Sequence, residues 1–186
     1  MTDMLPDVFE LGPREEAERI WHGATEARQR AGEELVALCE ALDFGLRAAE
    51  ILVIDRLSPI KEQFPATIAI QLGRPDPEVD PVEDAITVPN SLQFTEILDL
   101  LSDEELDCVA PGLHRGWEDR RFSCKRSRAT AQEALEVTLS AEERGDLLLL
   151  SSYRNRIFRA PPPVRVVPSE ILAAFDSLGE LMARLL

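Results

Sequence analysis

Side chains able to do nucleophilic, acid–base or metal chemistry are few and poorly grouped in this sequence of 186 residues. There are two histidines, His22 and His114, and three cysteines, Cys39, Cys108 and Cys124. Cys108, His114 and Cys124 come nearest to a zinc cluster. Structural zinc takes four ligands, usually in close pairs, and these three residues offer no such pair, so no metal is expected. Cys39 lies beside Leu38 and Leu42 and reads as a small core residue rather than a nucleophile. No Gly-x-Ser-x-Gly turn is present, and Gly12, Gly23, Gly32, Gly45 and Gly73 are too scattered to cradle a phosphate. Carboxylates are abundant, yet Glu15-Glu16, Glu33-Glu34 and Asp103-Glu104-Glu105 are accounted for by helix polarity and solvation. The residues therefore select no catalytic group and no cofactor.

Binding chemistry is better represented. Residues 1–110 hold 25 acidic against 8 basic side chains, a net of −17, whereas residues 111–186 hold 10 against 12, a net of +2. A fold gains little from sorting charge in this way, but long-range fields and surface contacts respond to it. The later cations gather in two blocks with aromatics among them. One carries Arg115, Trp117, Arg120, Arg121, Lys125, Arg126 and Arg128; the other carries Tyr153, Arg154, Arg156, Arg159 and Arg165. Planar guanidinium groups grip phosphate at two points and stack on rings, so these residues are candidates for contact with a polyanion or a protein partner. The competing expectation is internal, with the arginines neutralising the acidic first half of the chain. A sequence pI near 4.5 argues against the whole molecule being a non-specific polyanion binder.

The elements that would position these groups are mostly helical. Gly12-Pro13 opens a long helix, with Glu15, Glu16 and Glu18 at its positive end. Ala17, Trp21, Ala24, Ala31, Leu35, Leu38, Leu42 and Ala49 recur in steps of three, four and seven, a stripe close to a heptad seam. Such a length predicts a kink near Gly32 or Gly45, or an arm projecting from the body. Ile51–Ile54 fits helix or strand, and residues 66–72, between Pro65 and Gly73, read as a strand. Residues 73–90 carry Pro75, Pro77, Pro81 and Pro89 among acids and read as a linker or loop. Leu92–Leu101 is helical by spacing. Capping boxes at Ser102–Glu105, Thr130–Glu133 and Ser140–Glu143 predict short consecutive helices. Ser169 begins a final helix with Ile171, Leu172, Phe175, Leu178, Leu181, Met182 and Leu185 on its apolar face.

Within residues 130–168 the order is helix, turn, helix, then two extended segments, Ile157–Arg159 and Val164–Val167, around Pro161-Pro162-Pro163. That order resembles the end of a winged-helix domain, where a hairpin wing follows a helix-turn-helix. The resemblance is topological and requires Leu147–Ser152 to be helix rather than strand. It implies DNA or RNA contact through the hairpin arginines.

The sequence thus predicts a mainly α protein, α+β with a small β component, organised as an N-terminal helical arm and strand region (1–72), an acidic Pro-rich linker or loop (73–90) and a C-terminal helical body with a winged-helix-like hairpin (91–186). The start lacks the features of a secretory signal, and the longest aliphatic runs fall far short of the roughly 20 residues a membrane span needs. Three widely spaced cysteines suit a reducing, cytoplasmic setting. The expected function is non-enzymatic: an adaptor or assembly subunit that binds a protein partner, or a second copy of itself, through Trp21, Leu35, Leu38 and Leu42, with the Arg/aromatic blocks as a second contact. The alternative is a nucleic-acid-binding regulator. No cofactor, metal or membrane partner is expected.

Overall fold

The structure is a computed structural model that describes residues 12–30, 35–65, 68–69, 72–73, 94–103, 117–159 and 168–186, with backbone alone for 35–36, 117–124, 155–159 and 168. Among the described residues six α-helices run in the order α1 (Pro13–Arg30), α2 (Leu35–Leu57), α3 (Phe94–Leu101), α4 (Trp117–Leu135), α5 (Ala141–Arg159) and α6 (Pro168–Leu185). A 3-10 segment, Ser58–Gln63, continues α2 past Pro59. The protein is mainly α. The β component among the described residues is one isolated parallel bridge, Ser102 to Leu139.

Local chemistry explains the ends of several helices. α1 starts at Pro13 with Glu15 and Glu16 in its first turn and ends with Arg28 and Arg30, so both charge types complement the helix dipole. α4 ends at Leu135 because Glu136 turns to φ 55°, the left-handed conformation that closes many helices. The Leu135 carbonyl then accepts a 3.4 Å hydrogen bond from Arg56 of α2. Ser140 starts α5 with a reciprocal box: its N–H donates to Glu143 Oε2 at 2.8 Å, and the Glu143 N–H donates to Ser140 Oγ at 3.3 Å. The carbonyls left over at the end of α3 find donors too. Gln132 Nε2 reaches the Ser102 carbonyl at 2.8 Å and that of Leu100 at 3.3 Å, while the Leu139 N–H reaches Leu101 at 2.7 Å.

α2 is the central helix, packing against α1, α3, α4, α5 and α6. Leu38, Leu42, Leu46, Leu52, Val53 and Leu57 of α2 join Phe94, Ile97, Leu98 and Leu101 of α3, Leu147 and Leu150 of α5, and Phe175, Leu178, Leu181 and Met182 of α6 in one apolar core. Each fully buried side chain of this size contributes about 1.5–3 kcal/mol by transfer from water. α1 lies antiparallel on α2, as the pairing of Arg30 with Glu40 and the approach of Trp21 to Gly45 require. Two helices therefore flank residues 31–34 where the stripe suggested one long element. The proposed boundary at 73–90 falls mainly outside the described residues. On either side of it the helices share the same core.

Three local expectations change, and one reading left open between helix and strand is decided. The strand at 66–72 is helical where it is described: the N–H groups of Ile68 and Ala69 donate to the Pro65 carbonyl, and that of Gly73 to Ala69. Ile51–Ile54 lies inside α2. Thr130–Glu133 is interior to α4 rather than a helix start, since no proline or glycine interrupts residues 117–135. Ile157–Arg159, the first arm of the winged-helix-like hairpin, is the last turn of α5, and the second arm, Val164–Val167, lies outside the described residues. Leu147–Ser152 is helical.

Candidate functional site

The stripe expected to meet a partner is largely used inside the chain. Leu38 and Leu42 are 2% and 0% exposed, held in the core by α2's central position. Leu35 belongs to α2, with its side chain outside the described residues. Trp21 is half-buried and stacks on Phe175 of α6, ring centroids 5.6 Å apart with 10° between planes. The stack rests on Gly45, where a Cβ would stand 2.8 Å from Leu178 and 3.4 Å from both Phe175 and Trp21. Arg28 completes the group: its guanidinium lies 5.3 Å from the Phe175 ring centre and pairs with Asp176. α1 is thus fastened to α6 by ring stacking, a cation over a ring face and an ion pair.

The described members of the basic blocks divide between surface and interior. Lys125 and Arg126 are exposed on α4, and Arg128 is half-buried. Tyr153 is buried, with its hydroxyl donating to Glu170 Oε2 at 3.2 Å. Arg154 is held at 2.8 Å by Glu50 of α2, an internal tie rather than a group free to meet a polyanion. Trp117, Arg120 and Arg121 lie on α4, and Arg156 and Arg159 on α5, with backbone alone described. Arg115 and Arg165 lie outside the described residues. The described cations thus include Lys125 and Arg126 at the surface and Arg154 tied to Glu50.

The same division covers the reactive groups. Cys108 and His114 lie outside the described residues, Cys124 is described in backbone alone, and among the described residues no three His, Cys, Asp or Glu side chains are grouped to hold a metal ion. Cys39 is a free, half-buried thiol whose pKa is pushed up, mainly by burial, with Glu40 adding to the rise against a backbone hydrogen bond. That direction removes thiolate character and suits a packing role. Glu143 moves the other way. The Ser140 N–H holds its carboxyl below the usual range against partial burial, aided by the Ser140 side chain and Arg184.

One residue of interest escaped the sequence reading. Phe44 is 41% exposed, and it is the large apolar side chain left on the surface among the described residues. Its ring lies over Gly23, 3.8 Å from where a Cβ on that glycine would stand, with exposed Glu40 and Arg47 one turn to either side on α2. A signal was available. At about 100° per residue, Phe44 sits some 200° round the helix from Leu42, pointing away from the stripe. An exposed ring with a charged rim can anchor a contact, though it has no group able to drive a covalent step. The chain matches no family model, no curated protein and no solved structure.

Proposed function

We propose that this protein is a non-enzymatic adaptor or assembly subunit, and that the outer face of the α1–α2 hairpin is its contact surface. The observation that carries this reading is Phe44. Every other large apolar side chain described is buried or half-buried, whereas Phe44 stands 41% exposed between charged residues on the helix that organises the core. A rigid aromatic on a rigid helix loses little conformational entropy on binding, and Glu40 and Arg47 would set orientation and encounter rate. The helix stripe of the sequence reading then serves as the scaffold behind the surface, since Leu38 and Leu42 are enclosed. A reducing, cytoplasmic setting suits the reading, with Cys39 as a free thiol.

The test is Phe44→Asp, compared with wild type by mass measurement in solution and by capture of a binding partner. The expected result is loss of self-association or of the captured partner with helicity and melting temperature retained. If Phe44→Asp leaves every association unchanged, the hairpin face is not the contact surface.

A nucleic-acid-binding regulator is the second reading, supported by the exposure of Lys125 and Arg126 on α4. Duplex DNA or RNA would then bind with an affinity falling steeply with salt, and Arg126→Ala would reduce that slope by about one. Absence of binding at low salt ends this reading.

A further inference from the structure

We propose that two copies of this chain associate face to face through the outer side of the α1–α2 hairpin, with Phe44 of each copy at the two-fold axis. This rests on the assembly reading above and names a second copy as the partner.

The hairpin is a firm platform, since α1 and α2 pack on each other more extensively than any other pair of described helices. Its register fixes which exposed residues stand level. Gly23 lies under Phe44, and Arg30 meets Glu40 at 3.8 Å. Lower numbers on α1 therefore run beside higher numbers on α2. One turn from Phe44 in that direction, α2 carries Arg47 and α1 carries Arg19; one turn in the other direction, they carry Glu40 and Glu26. All four are exposed. At about 100° per residue each lies within about 60° of Phe44 or Gly23 on its own helix, so the four charges frame one face. Bases stand at one end of it and acids at the other, with an aromatic ring and a glycine between.

That order is self-complementary. A two-fold axis lying across both helices at the level of Phe44 and Gly23 sets each helix antiparallel to its own copy. A residue one turn above the axis then faces the residue one turn below it in the other copy. Arg47 meets the partner's Glu40, and Arg19 meets the partner's Glu26. Two turns out the match continues, with Glu16 facing the partner's Arg30 and Ile51 facing the partner's Ala37. An axis running along the helices would instead set Arg19 against the partner's Arg47, bringing like charges together.

Ion pairing within the chain leaves the two bases available. Among the arginines whose side chains are described, Arg19, Arg47 and Arg126 make no ion pair or hydrogen bond, in a chain with a net charge of −15. Two of those three share this face. The acids hold only exposed partners, Glu40 with Arg30 at 3.8 Å and Glu26 with His22 at 3.2 Å, which a second copy can join or replace. Size sets the strength. The 18 residues of α1 span about 27 Å, and two packed helices present a face about 20 Å wide. Both copies together would bury about 1,100 Å², the low end for a specific interface, so the dimer is weak and reversible.

The experiment reverses the charges in two separate copies of the full chain: Arg19→Glu with Arg47→Glu in one, Glu26→Arg with Glu40→Arg in the other. Each reversal shifts the charge by two units, so the variants carry −19 and −11 and bulk charge does not draw them together. Circular dichroism and thermal melting check that each folds. Association is measured by sedimentation and native mass spectrometry at about 0.15 M salt, which screens the repulsion between two acidic chains. Wild type should dimerise as its concentration rises toward millimolar, and Phe44→Asp should abolish that dimer. Either charge variant alone should dimerise roughly tenfold more weakly, because the facing pairs become repulsive. Mixed one to one, the two should form a heterodimer with an affinity within about threefold of wild type. If Phe44→Asp abolishes a dimer that both charge variants retain, the hairpin face stands as the contact surface and this pairing of it is wrong. If wild type and the mixture both stay monomeric at millimolar concentration, self-association is overturned, and capture of a different partner through Phe44 decides the assembly reading separately.

Discussion

Arg154 Nη2 of α5 lies 2.8 Å from Glu50 Oε1 of α2, with the two side chains 18% and 21% exposed. The pair joins the central helix to a helix more than a hundred residues later. It belongs to a wider pattern in which arginines tie helices together: Arg28 to Asp176, Arg144 to Asp99 and Arg184 to Glu143. Partial burial makes such a pair costly to break from one side, because the remaining charge keeps its desolvation and loses its partner. Arg154→Ala and Glu50→Ala should each lower stability by about 1–2 kcal/mol. The double variant should recover part of that loss. Denaturant titrations of all four chains give the coupling energy, and a coupling near zero would show that the pair is incidental.

Glycines on neighbouring helices should respond with opposite signs to the same change. At Gly23 an added methyl would meet only Phe44, at 3.8 Å, which is ordinary contact. Gly145 of α5 and Gly179 of α6 would meet nothing within 4 Å. Alanine at each of these should stabilise by about 0.8–1 kcal/mol through helix propensity. Gly45 differs because Leu178, at 2.8 Å and fully buried, would have to move while Phe175 and Trp21 close the other sides. Gly45→Ala should therefore destabilise by about 1 kcal/mol net, the overpacking cost exceeding the propensity gain. Thermal melts of the four variants test the contrast, and a stabilised Gly45→Ala would contradict the packing described.

Burial patterns explain which features could be read from the sequence. The apolar face of α6 was legible because Ile171, Phe175, Leu178, Leu181, Met182 and Leu185 keep a helical period and are all buried. Ser140–Glu143 was legible because its box is a local interaction. Thr130–Glu133 has the same hydroxyl-x-x-Glu pattern in a helix interior, where nothing local separates the two cases. Residues 66–72 carry Thr67, Ile68 and Ile70 between Pro65 and Gly73, a composition that suits a strand, yet Pro65 supplies a carbonyl that starts a helical turn. The long-range ties were not legible at all. Arg154 and Glu50 are separated by 104 positions and Arg28 and Asp176 by 148, so only the fold reveals that these cations have partners. Phe44 lies off the apolar stripe, and only the packing of α1 and α6 around α2 shows which side of that helix stays exposed.

Glu136 is a non-glycine residue with positive φ, at 55°. A Cβ in this conformation crowds the following carbonyl and costs about 1 kcal/mol, which glycine avoids. The Glu136 side chain is exposed, so little packing is lost with it. Glu136→Gly should stabilise the protein by about 0.5–1 kcal/mol, and Glu136→Ala should give none of that gain. Equal effects of glycine and alanine in chemical denaturation would show that side-chain charge, not backbone conformation, governs the position.

Glu143 gives the fold a dependence on acid. Its carboxylate accepts from the Ser140 N–H at 2.8 Å and meets Arg184 at 2.6 Å, and Arg184 also donates to the Thr138 carbonyl at 3.1 Å, closing α6 onto the start of α5. These contacts, led by the Ser140 N–H, hold the folded-state pKa below its unfolded value. Between the two values the unfolded chain binds more protons, so stability rises with pH across that interval. The contribution is complete above the ordinary glutamate range and disappears as pH falls through the depressed folded-state value. Glu143→Gln should therefore be less stable than wild type at neutral pH, and the two stability curves should converge on acidification below about pH 4. Arg184→Met should weaken the same pH dependence without abolishing it, because the backbone donor remains. A constant gap between wild type and Glu143→Gln from neutral to acidic pH would mean that the carboxylate's charge contributes nothing and the variant's loss comes from geometry alone.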